Sequence, residues 1–334
     1  MVNQFIMKKY LIPIIVVVLI VLSFFVWSQS RNNQNNEQSG KVSLRLAWLH
    51  GSGFEGFYAA KDKGFYNDQG LDVTLYPGGP DQNPIRSVAA GSDTFGQGGL
   101  VEVLQARAKG VPIKAIAAIF RENPVVYFSL KNSGIKTPND FVGKTVGVKY
   151  GLDTETLYRA LLSKYKINKS SITEVPVKFD MSPLFRKEVD VWPGYINFEP
   201  VIAKMQGYDV DVIRAEDYGI PMYGQVIFAR EDFIKENPDI VRKFLEATVE
   251  GWQYAVSHDD EAAQLATKYS PETDLALAQK IFAPTKKLVI AQDSKIGYME
   301  TEVWQTNENI LREQGLIKND INLQDAFTNE FLPY

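Results

Sequence analysis

The sequence predicts an α/β fold in which two lobes, each with a doubly wound parallel sheet, are joined by two crossover strands. Short apolar strands alternate with helical segments from Val42 onward, which is typical of doubly wound sheets. Two extended runs, 125–130 and 224–229, interrupt this alternation and are interpreted as the crossovers. The body of the chain, residues 41–334, is also long for one sheet, which favours two lobes. A single continuous sheet is the alternative.

The first lobe begins with strands and helices that alternate between residues 42 and 119. Apolar and polar side chains alternate over 42–48, as expected of a half-buried strand. Glycine and proline, for example at Gly64 and Pro77, end the segments because neither residue continues a helix or strand easily. The predicted strands are 42–48, 71–76, 94–97 and 113–119, and the predicted helices are 54–63, 84–90 and 100–109.

The second lobe repeats the alternation, and a helical segment completes the chain. Its predicted strands are 145–148, 174–177, 189–192 and 210–214, and its predicted helices are 153–164 and 198–206. After the second crossover, one helix is predicted from Pro238 to about Ser257, because its apolar residues recur at helical spacing and form a core face. We therefore assign 41–126 and 225–334 to the first lobe and 127–224 to the second lobe.

The amino terminus predicts a membrane anchor. Lys8 and Lys9 precede an apolar run from Leu11 to Trp27, which has the length of a short membrane-spanning helix or a long signal-peptide core. Lysines before the run predict that the body lies outside the cytoplasm. We interpret 1–27 as a retained signal anchor, with signal-peptide cleavage or a buried core helix as the alternatives. The polar segment 28–40 is interpreted as a flexible linker.

Composition and charge exclude several classes of function. The chain is 45% apolar and has a net charge of −4, so no basic surface for nucleic acid is expected. It contains no cysteine and only two histidines, His50 and His258. Disulfides, thiolate catalysis, iron–sulfur clusters and Cys/His zinc sites are therefore excluded. We expect no catalytic residue, metal or cofactor, because no nucleophile, acid–base pair or metal cluster has a suggestive spacing.

The main candidate for a ligand site is the segment 188–200 in the second lobe. Its strand is predicted to end at Pro193-Gly194, because this dipeptide does not continue strand pairing. Loops that leave the carboxyl ends of strands bind ligands in α/β folds, and rings with one carboxylate suit a flat, nitrogen-rich molecule. The alternative is a turn with buried core aromatics and a solvated glutamate. The candidate ligand-binding side chains are those of Trp192, Tyr195, Asn197 and Glu199.

Further candidates lie at equivalent strand ends. Trp48 follows the first strand and is expected to point into the cleft. The loops after 94–97 and 145–148 are expected to offer the ligand backbone N–H groups or a stacking ring. For each candidate the alternative is packing in the core or on the surface. The remaining ligand-binding candidates, including one beside the return crossover, are Gln97, Gly98, Gly99, Tyr150, Gly151 and Tyr223.

Three neighbouring features are expected to be mainly structural. Asp153 is predicted to cap the amino end of its helix. Arg121 and Glu122 are predicted to form a surface ion pair, with pairing across the hinge as the alternative. Phe179 follows another strand and is a secondary candidate for the ligand site.

Several motifs resemble one known protein family. The segments 56–66, 69–73, 88–96, 135–148 and 236–239 resemble extracytoplasmic substrate-binding proteins of ABC importers, in the branch that handles sulfonates, nitrate and thiamine-pyrimidine precursors. They occur in the family's order and cover most of residues 42–260. The resemblance implies the two-lobed periplasmic-binding-protein fold of type II. It also implies a monomeric receptor at the extracytoplasmic face of the cell membrane, with an ABC permease and its ATPase as partners.

Within this branch, the segments 192–200 and 217–220 look most like the binders of hydroxymethylpyrimidine-type or formylaminopyrimidine-type thiamine precursors. The resemblance therefore implies that a small aromatic heterocycle is captured by closure of the lobes. Riboflavin-binding relatives share a similar pattern, and riboflavin or a small sulfonate or nitrate is the alternative ligand. Against a small anion, we expect a bare negative charge to be repelled by Glu199.

Two other classes of protein use a related fold. The eukaryotic pyrimidine synthases of the superfamily are enzymes that consume their own histidine and lysine with iron, and they carry a cysteine-rich motif. Because the present chain has no cysteine, we do not expect an enzyme. A sensor is the third possibility, but only ten residues precede the apolar run at Leu11, too few for a cytoplasmic signalling module.

Overall fold

A computed structural model describes residues 40–79, 81–291 and 295–334. The predicted anchor, 1–27, and all but the last residue of the predicted linker, 28–40, lie outside these ranges. No helix within the described ranges combines the length and the apolar character needed to cross a membrane.

The first lobe is built on a five-stranded sheet with the order β2-β1-β3-β10-β4. Strand β10 is antiparallel to both of its neighbours, whereas β1 and β3 are parallel. The chain enters β10 directly from the second lobe, which explains the reversed direction of this strand. The strands are β1 Lys41–Arg45, β2 Asp72–Tyr76, β3 Phe95–Gly98, β4 Ile113–Phe120 and β10 Gln225–Arg230.

The second lobe contains a three-stranded sheet, β8-β5-β9, and a parallel pair, β6-β7. A parallel bridge between Val146 and Val191 links the two. Strand β5 is antiparallel to β8 and β9, because it is the strand by which the chain enters this lobe. Separate sheets in the two lobes overturn the alternative of one continuous sheet. The strands are β5 Val125–Leu130, β6 Thr145–Val148, β7 Thr173–Pro176, β8 Trp192–Tyr195 and β9 Val210–Arg214.

Helices cover the sheets, and most of the predicted ones are present. The helix predicted after Pro238 ends at Ser257, as expected, and its apolar residues are buried. In the described residues the helices are α1 Glu55–Asp62, α2 Phe65–Asp68, α3 Pro84–Ala89, α4 Leu100–Ala108, α5 Asp153–Lys164, α6 Ser182–Phe185, α7 Glu199–Met205, α8 Glu231–Glu236, α9 Pro238–Ser257, α10 Asp259–Tyr269, α11 Leu275–Val289, α12 Thr301–Glu313 and α13 Leu323–Ala326.

Helices α1 and α9 form the tightest contact in the first lobe. Gly56 and Gly251 allow the two backbones to approach, because a methyl group on Gly251 would lie 2.3 Å from the carbonyl oxygen of Gly56. Trp252 packs edge-on against Phe57, with the ring centroids 5.6 Å apart. Both rings are fully buried in the main hydrophobic cluster of this lobe, so this contact anchors the carboxyl-terminal helices to the sheet.

One strand prediction is wrong in an informative way. The sequence predicts a strand over 189–192 that ends at Pro193-Gly194, but β8 runs through this dipeptide and pairs with β5 as far as Tyr195. Strand β8 stands at the edge of its three-stranded sheet. Because the outer side of an edge strand needs no N–H donor, proline is tolerated there.

Two short connections link the lobes. Arg121 to Pro124 lie between β4 and β5, and Pro221 to Gly224 lie immediately before β10. The lobe boundaries at residues 126/127 and 224/225 stay a prediction.

Candidate functional site

The predicted site residues lie mainly on loops and helix starts at the carboxyl ends of strands, in both lobes. Trp48 follows β1, and Gly99 follows β3 in the first lobe. Tyr150 follows β6, and Asn197 and Glu199 follow β8 in the second lobe. Because ligands of α/β folds bind at this end of the strands, these loops define the candidate site.

A buried ion pair lies at the centre of the site. The Nζ atom of Lys149 donates to Oε1 of Glu199 at 2.8 Å, and the two side chains are only 4% and 6% exposed. The other oxygen, Oε2, accepts from the backbone N–H of Tyr195 at 2.8 Å. Both oxygens of Glu199 are therefore already bonded. The expectation that Glu199 alone repels an anion is wrong, because the charge of Lys149 compensates that of Glu199.

A second polar contact joins Asp153 and Tyr195. The hydroxyl of Tyr195 donates to Oδ1 of Asp153 at 3.1 Å. Burial raises the pKa of the Asp153 carboxyl, although this hydrogen bond and the charge of Lys149 oppose the rise. Burial, together with the charge of Asp153, also raises the pKa of Tyr195 well above its ordinary value. The predicted capping role of Asp153 is wrong, because Leu152 occupies the cap position and Asp153 is the first helical residue.

The first lobe contributes a further carboxyl, that of Glu102. Its Oε2 accepts from the backbone N–H of Gly99 at 3.1 Å. Burial raises the pKa of Glu102, and the negative charge of Asp153 raises it further. Since Glu102 lies in the first turn of α4 in the first lobe and Asp153 begins α5 in the second, the lobes bring two acids into electrostatic contact.

Two backbone groups that were expected to be free are already bonded. The N–H of Gly99 is used by Glu102, and the N–H of Gly151 donates to Glu155 at 2.8 Å. Carboxylates in the first turn of a helix satisfy such groups. These N–H groups are therefore not free as expected, and their contact with a ligand stays a prediction. Gly98 is buried beside Glu102. A methyl group added to Gly98 would lie 2.8 Å from Oε2 of Glu102, so the absence of a side chain at this position allows the close packing.

Gln97 joins strands within the first lobe. Its Oε1 accepts from the N–H of Ala47 at 3.1 Å, and its Nε2 donates to Gln225 at 2.6 Å. The side chain is fully buried. Both ends of the amide thus bond protein groups, one in the segment after β1 and one in β10, which is a structural role. The contact of Gln97 with a ligand stays a prediction.

Three aromatic rings on the loops of the candidate site are exposed. Trp48 is 48% exposed, Tyr150 is 50% exposed and Phe179 is 70% exposed. Phe179 also lies near Lys149, whose Nζ is 5.4 Å from the ring centroid. Trp192 differs, because only 1% of it is exposed and it belongs to a hydrophobic cluster of the second lobe. This burial favours the alternative, a core ring, and the stacking of Trp192 on a ligand stays a prediction.

Tyr223 and Arg121 lie at the crossovers. The Tyr223 hydroxyl accepts from the N–H of Glu300 at 2.7 Å and donates to the Glu300 carboxylate at 3.3 Å. Arg121 donates to the same carboxylate at 3.0 Å, while Glu122 pairs with Arg214. Arg121 and Glu122 thus do not pair with each other as predicted. Tyr223 is 1% exposed, and its expected place in the cleft wall stays a prediction.

Asn197 is also committed to a protein partner. Its Nδ2 donates to Oγ1 of Thr285 at 3.0 Å, and both residues are buried. The Asn197 amide, which was predicted to face a ligand, therefore bonds helix α11, which packs on the first lobe.

Lys149 and Glu102 are the site residues that sequence reasoning missed. Lys149 is the residue directly before the predicted Tyr150, and a lysine at the end of an apolar strand was the available signal. Glu102 stands three residues after Gly99 at the start of a predicted helix, which is the spacing of a capping box. In the ranges that the structure describes, no group of three or more His, Cys, Asp or Glu side chains has a metal-binding arrangement.

Comparison with known proteins identifies relatives of this chain. A family model described as NMT1/THI5 like matches residues 52–262. The chain is 28% identical over 310 residues to the riboflavin-binding protein RibY of Chloroflexus aurantiacus, covering 88% of this chain and 86% of that protein. It is 23% identical over 325 residues to the formylaminopyrimidine-binding protein of Halalkalibacterium halodurans, covering 94% and 98%. It is 25% identical over 297 residues to a 4-amino-5-hydroxymethyl-2-methylpyrimidine phosphate synthase of Legionella pneumophila, covering 88% and 92%.

The fold is also similar to solved structures. The periplasmic aliphatic sulphonate binding protein SsuA from Escherichia coli superposes with a TM-score of 0.70 at 17% identity, over 86% of this chain and 91% of that chain. This similarity confirms the predicted two-lobed periplasmic-binding-protein fold.

Proposed function

Because the chain belongs to the NMT1/THI5-like family, we propose that it is the extracytoplasmic solute-binding component of an ABC importer. Its ligand is a thiamine pyrimidine precursor of the formylaminopyrimidine or hydroxymethylpyrimidine type. The relative named as a formylaminopyrimidine-binding protein, which aligns over 94% of this chain, supports this ligand class.

The observation that carries the proposal is a set of charged side chains, with a buried Lys149–Glu199 pair at its centre, on loops that also carry exposed rings. Lys149 has three N–H donors, one of which bonds Glu199, so it retains donors for a ring nitrogen or carbonyl oxygen. Asp153 and Glu102 are acceptors for the amino group of a pyrimidine. Trp48 and Tyr150 supply flat apolar surface for stacking. A heterocycle with both donors and acceptors matches this set better than a simple anion does.

Closure of the lobes completes the proposed mechanism. Asp153 and Glu102 belong to different lobes, so one ligand can contact both only when the lobes are together. Such a ligand shifts the open–closed equilibrium by its preference for the closed state. We propose that the closed form docks on a permease whose ATPase drives transport. We also propose that the segment 1–27 holds the monomeric receptor at the outer face of the membrane.

Riboflavin is the second candidate ligand. The relative named RibY has 28% identity to this chain, compared with 23% for the formylaminopyrimidine-binding relative. Flavin also presents donors and acceptors on a flat ring, so the same polar cluster would suit one edge of it.

We propose binding rather than catalysis. Relatives named as synthases belong to the same set of matches, so similarity alone does not separate the two activities. The cysteine-free sequence supports the binding role, because the eukaryotic synthases to which it was compared carry a cysteine-rich motif.

Thermal-shift screening of the full chain in mild detergent tests the proposal. The compounds are formylaminopyrimidine, hydroxymethylpyrimidine, thiamine, riboflavin, taurine and nitrate. A ligand at about 100 times its Kd stabilises the folded state by ~2.7 kcal/mol, which raises the Tm by a few degrees. A shift with a pyrimidine is the expected result. A shift only with riboflavin selects the second candidate, and a shift only with taurine or nitrate refutes both.

Incubation of the chain with iron separates binding from catalysis. We expect no pyrimidine product and an intact His50 by mass spectrometry. Formation of a pyrimidine with modification of a histidine would refute the binding role.

A further inference from the structure

The segment 195–197, which follows β8 in the second lobe, is packed against the first lobe. Ile196 contacts the main hydrophobic cluster of the first lobe and also the second-lobe cluster that contains Trp192. Its N–H donates to the carbonyl of Pro124, in the first crossover, at 2.7 Å. This short segment therefore touches both cores and the hinge between them.

A hydrogen bond between buried groups fixes this contact. The Nδ2 of Asn197 donates to Oγ1 of Thr285 at 3.0 Å, and Oγ1 in turn donates to the carbonyl of Ile281 at 2.8 Å. Thr285 is fully buried on α11. The same helix contributes Phe282 and Leu288 to the cluster of the first lobe, so Thr285 moves with that lobe.

The segment also carries two residues of the candidate site. Phe198 N–H donates to the Tyr195 carbonyl at 2.8 Å, and Tyr195 N–H donates to Glu199 at 2.8 Å. These bonds make 195–199 one tight turn. Because the turn is compact, the position of Asn197 determines where the hydroxyl of Tyr195 and the carboxylate of Glu199 lie.

We propose that Thr285 is a positioning residue for ligand capture. Its bond to Asn197 holds the turn 195–199 on the first lobe, and so favours the closed arrangement of the lobes and places Tyr195 and Glu199 for the ligand. When the lobes separate, the amide of Asn197 exchanges this bond for one with water. A net hydrogen bond of this kind changes an equilibrium by roughly two- to tenfold. The part of the proposal that concerns the ligand rests on the proposed function, whereas the part that concerns closure does not.

Thr285→Val is the decisive variant, because it removes the hydroxyl but keeps the shape of the side chain. Thr285→Ser retains the hydroxyl and is the first control. Thr248→Val is the second control, since Thr248 is equally buried and its hydroxyl bonds Tyr66 at 3.0 Å within the first lobe. It makes the same chemical change without touching the second lobe.

The distance between the lobes is measured on the full chain in detergent by double electron–electron resonance. The sequence has no cysteine, so Lys109→Cys and Ser170→Cys place one spin label on an exposed position of each lobe. We expect Thr285→Val to move the distance distribution towards longer distances, and Thr285→Ser and Thr248→Val to leave it unchanged. In the same variants, we expect Thr285→Val alone to weaken the binding of formylaminopyrimidine by roughly two- to tenfold.

Each outcome is decisive. If Thr285→Val changes neither the interlobe distance nor the Kd, the positioning role is refuted. If Thr248→Val produces the same change as Thr285→Val, the effect is general destabilisation and the proposal is also refuted. If the parent chain binds no pyrimidine or flavin, the proposed function fails, but the distance measurement without ligand still decides whether Thr285 holds the lobes together.

Discussion

Replacement of Glu199 by glutamine is expected to destabilise the fold strongly. Glu199 and Lys149 form an ion pair of 2.8 Å whose side chains are 6% and 4% exposed. Removal of one partner leaves the other charge buried without compensation, which costs ~3–5 kcal/mol. Glutamine retains an oxygen for the N–H of Tyr195, so that bond adds little to the loss. A change of this size lowers the Tm by roughly 4–8 °C in a protein of this length.

Urea unfolding followed by circular dichroism measures the effect, and a double-mutant cycle identifies its cause. Lys149→Met in the background of Glu199→Gln removes the unpaired charge, so the double variant should recover most of the lost stability. Glu188→Gln is the matched control, because Glu188 pairs with Arg186 at a similar distance, 2.7 Å, but both side chains are more than half exposed. We expect the control to leave the urea midpoint unchanged.

The reasoning is refuted if Glu199→Gln is as stable as the parent chain, or if Lys149→Met fails to rescue it. Either result would mean that water reaches the pair and that the cluster at the centre of the candidate site is not buried. Salt provides an independent check. The loss in Glu199→Gln should be the same at low and high ionic strength, because buried charges are screened much less than exposed ones.

Three further predictions concern other parts of the molecule. Burial raises the pKa of Glu55 from 4.5 to about 7, so the folded chain holds a proton that the unfolded chain releases between these values. The contribution of Glu55 to stability in urea should therefore fall by up to ~3 kcal/mol as the pH rises from 4.5 to 7, and Glu55→Gln should remove this part of the pH dependence. Gly251→Ala should lower the Tm by several degrees, because its methyl group would meet the Gly56 carbonyl at 2.3 Å; a Tm equal to the parent's would contradict the close approach. Trp48→Ala should weaken pyrimidine binding by roughly tenfold in titration calorimetry without lowering the Tm, because the ring is 48% exposed; an unchanged Kd would remove Trp48 from the site.

The fold was largely predictable because hydrophobic periodicity and turn residues report local structure directly. Strand β5 and helix α5 have the predicted bounds, 125–130 and 153–164. The direction of β5 and β10 within their sheets was not predictable in this way, because it depends on which lobe the chain comes from. Likewise, the proline in β8 is compatible with a strand only because β8 stands at a sheet edge, which is a property of the assembled sheet.

The site was less predictable, since its residues act through partners that are distant in the sequence. Glu199 was identified from its neighbours, but Lys149, which determines its charge environment, lies fifty positions away. Asn197 and Gln97 were identified as polar groups at strand ends, yet Thr285 and Gln225 occupy them. Sequence patterns correctly located loops at the carboxyl ends of strands. They did not reveal which polar atoms in those loops remain available after folding.

The proposed preference for a neutral heterocycle over a small anion does not depend on the charge of Glu199, which Lys149 compensates. It depends on other residues. With Lys149 bonded to Glu199, the remaining acids of the candidate site are Asp153 and Glu102, one from each lobe, and burial raises the pKa of each. An additional negative charge between them would raise both pKa values further and oppose closure. An N–H donor placed between them would favour their charged forms and draw the lobes together. We therefore expect Asp153 and Glu102 to favour a ligand that carries amino or ring N–H groups on one edge.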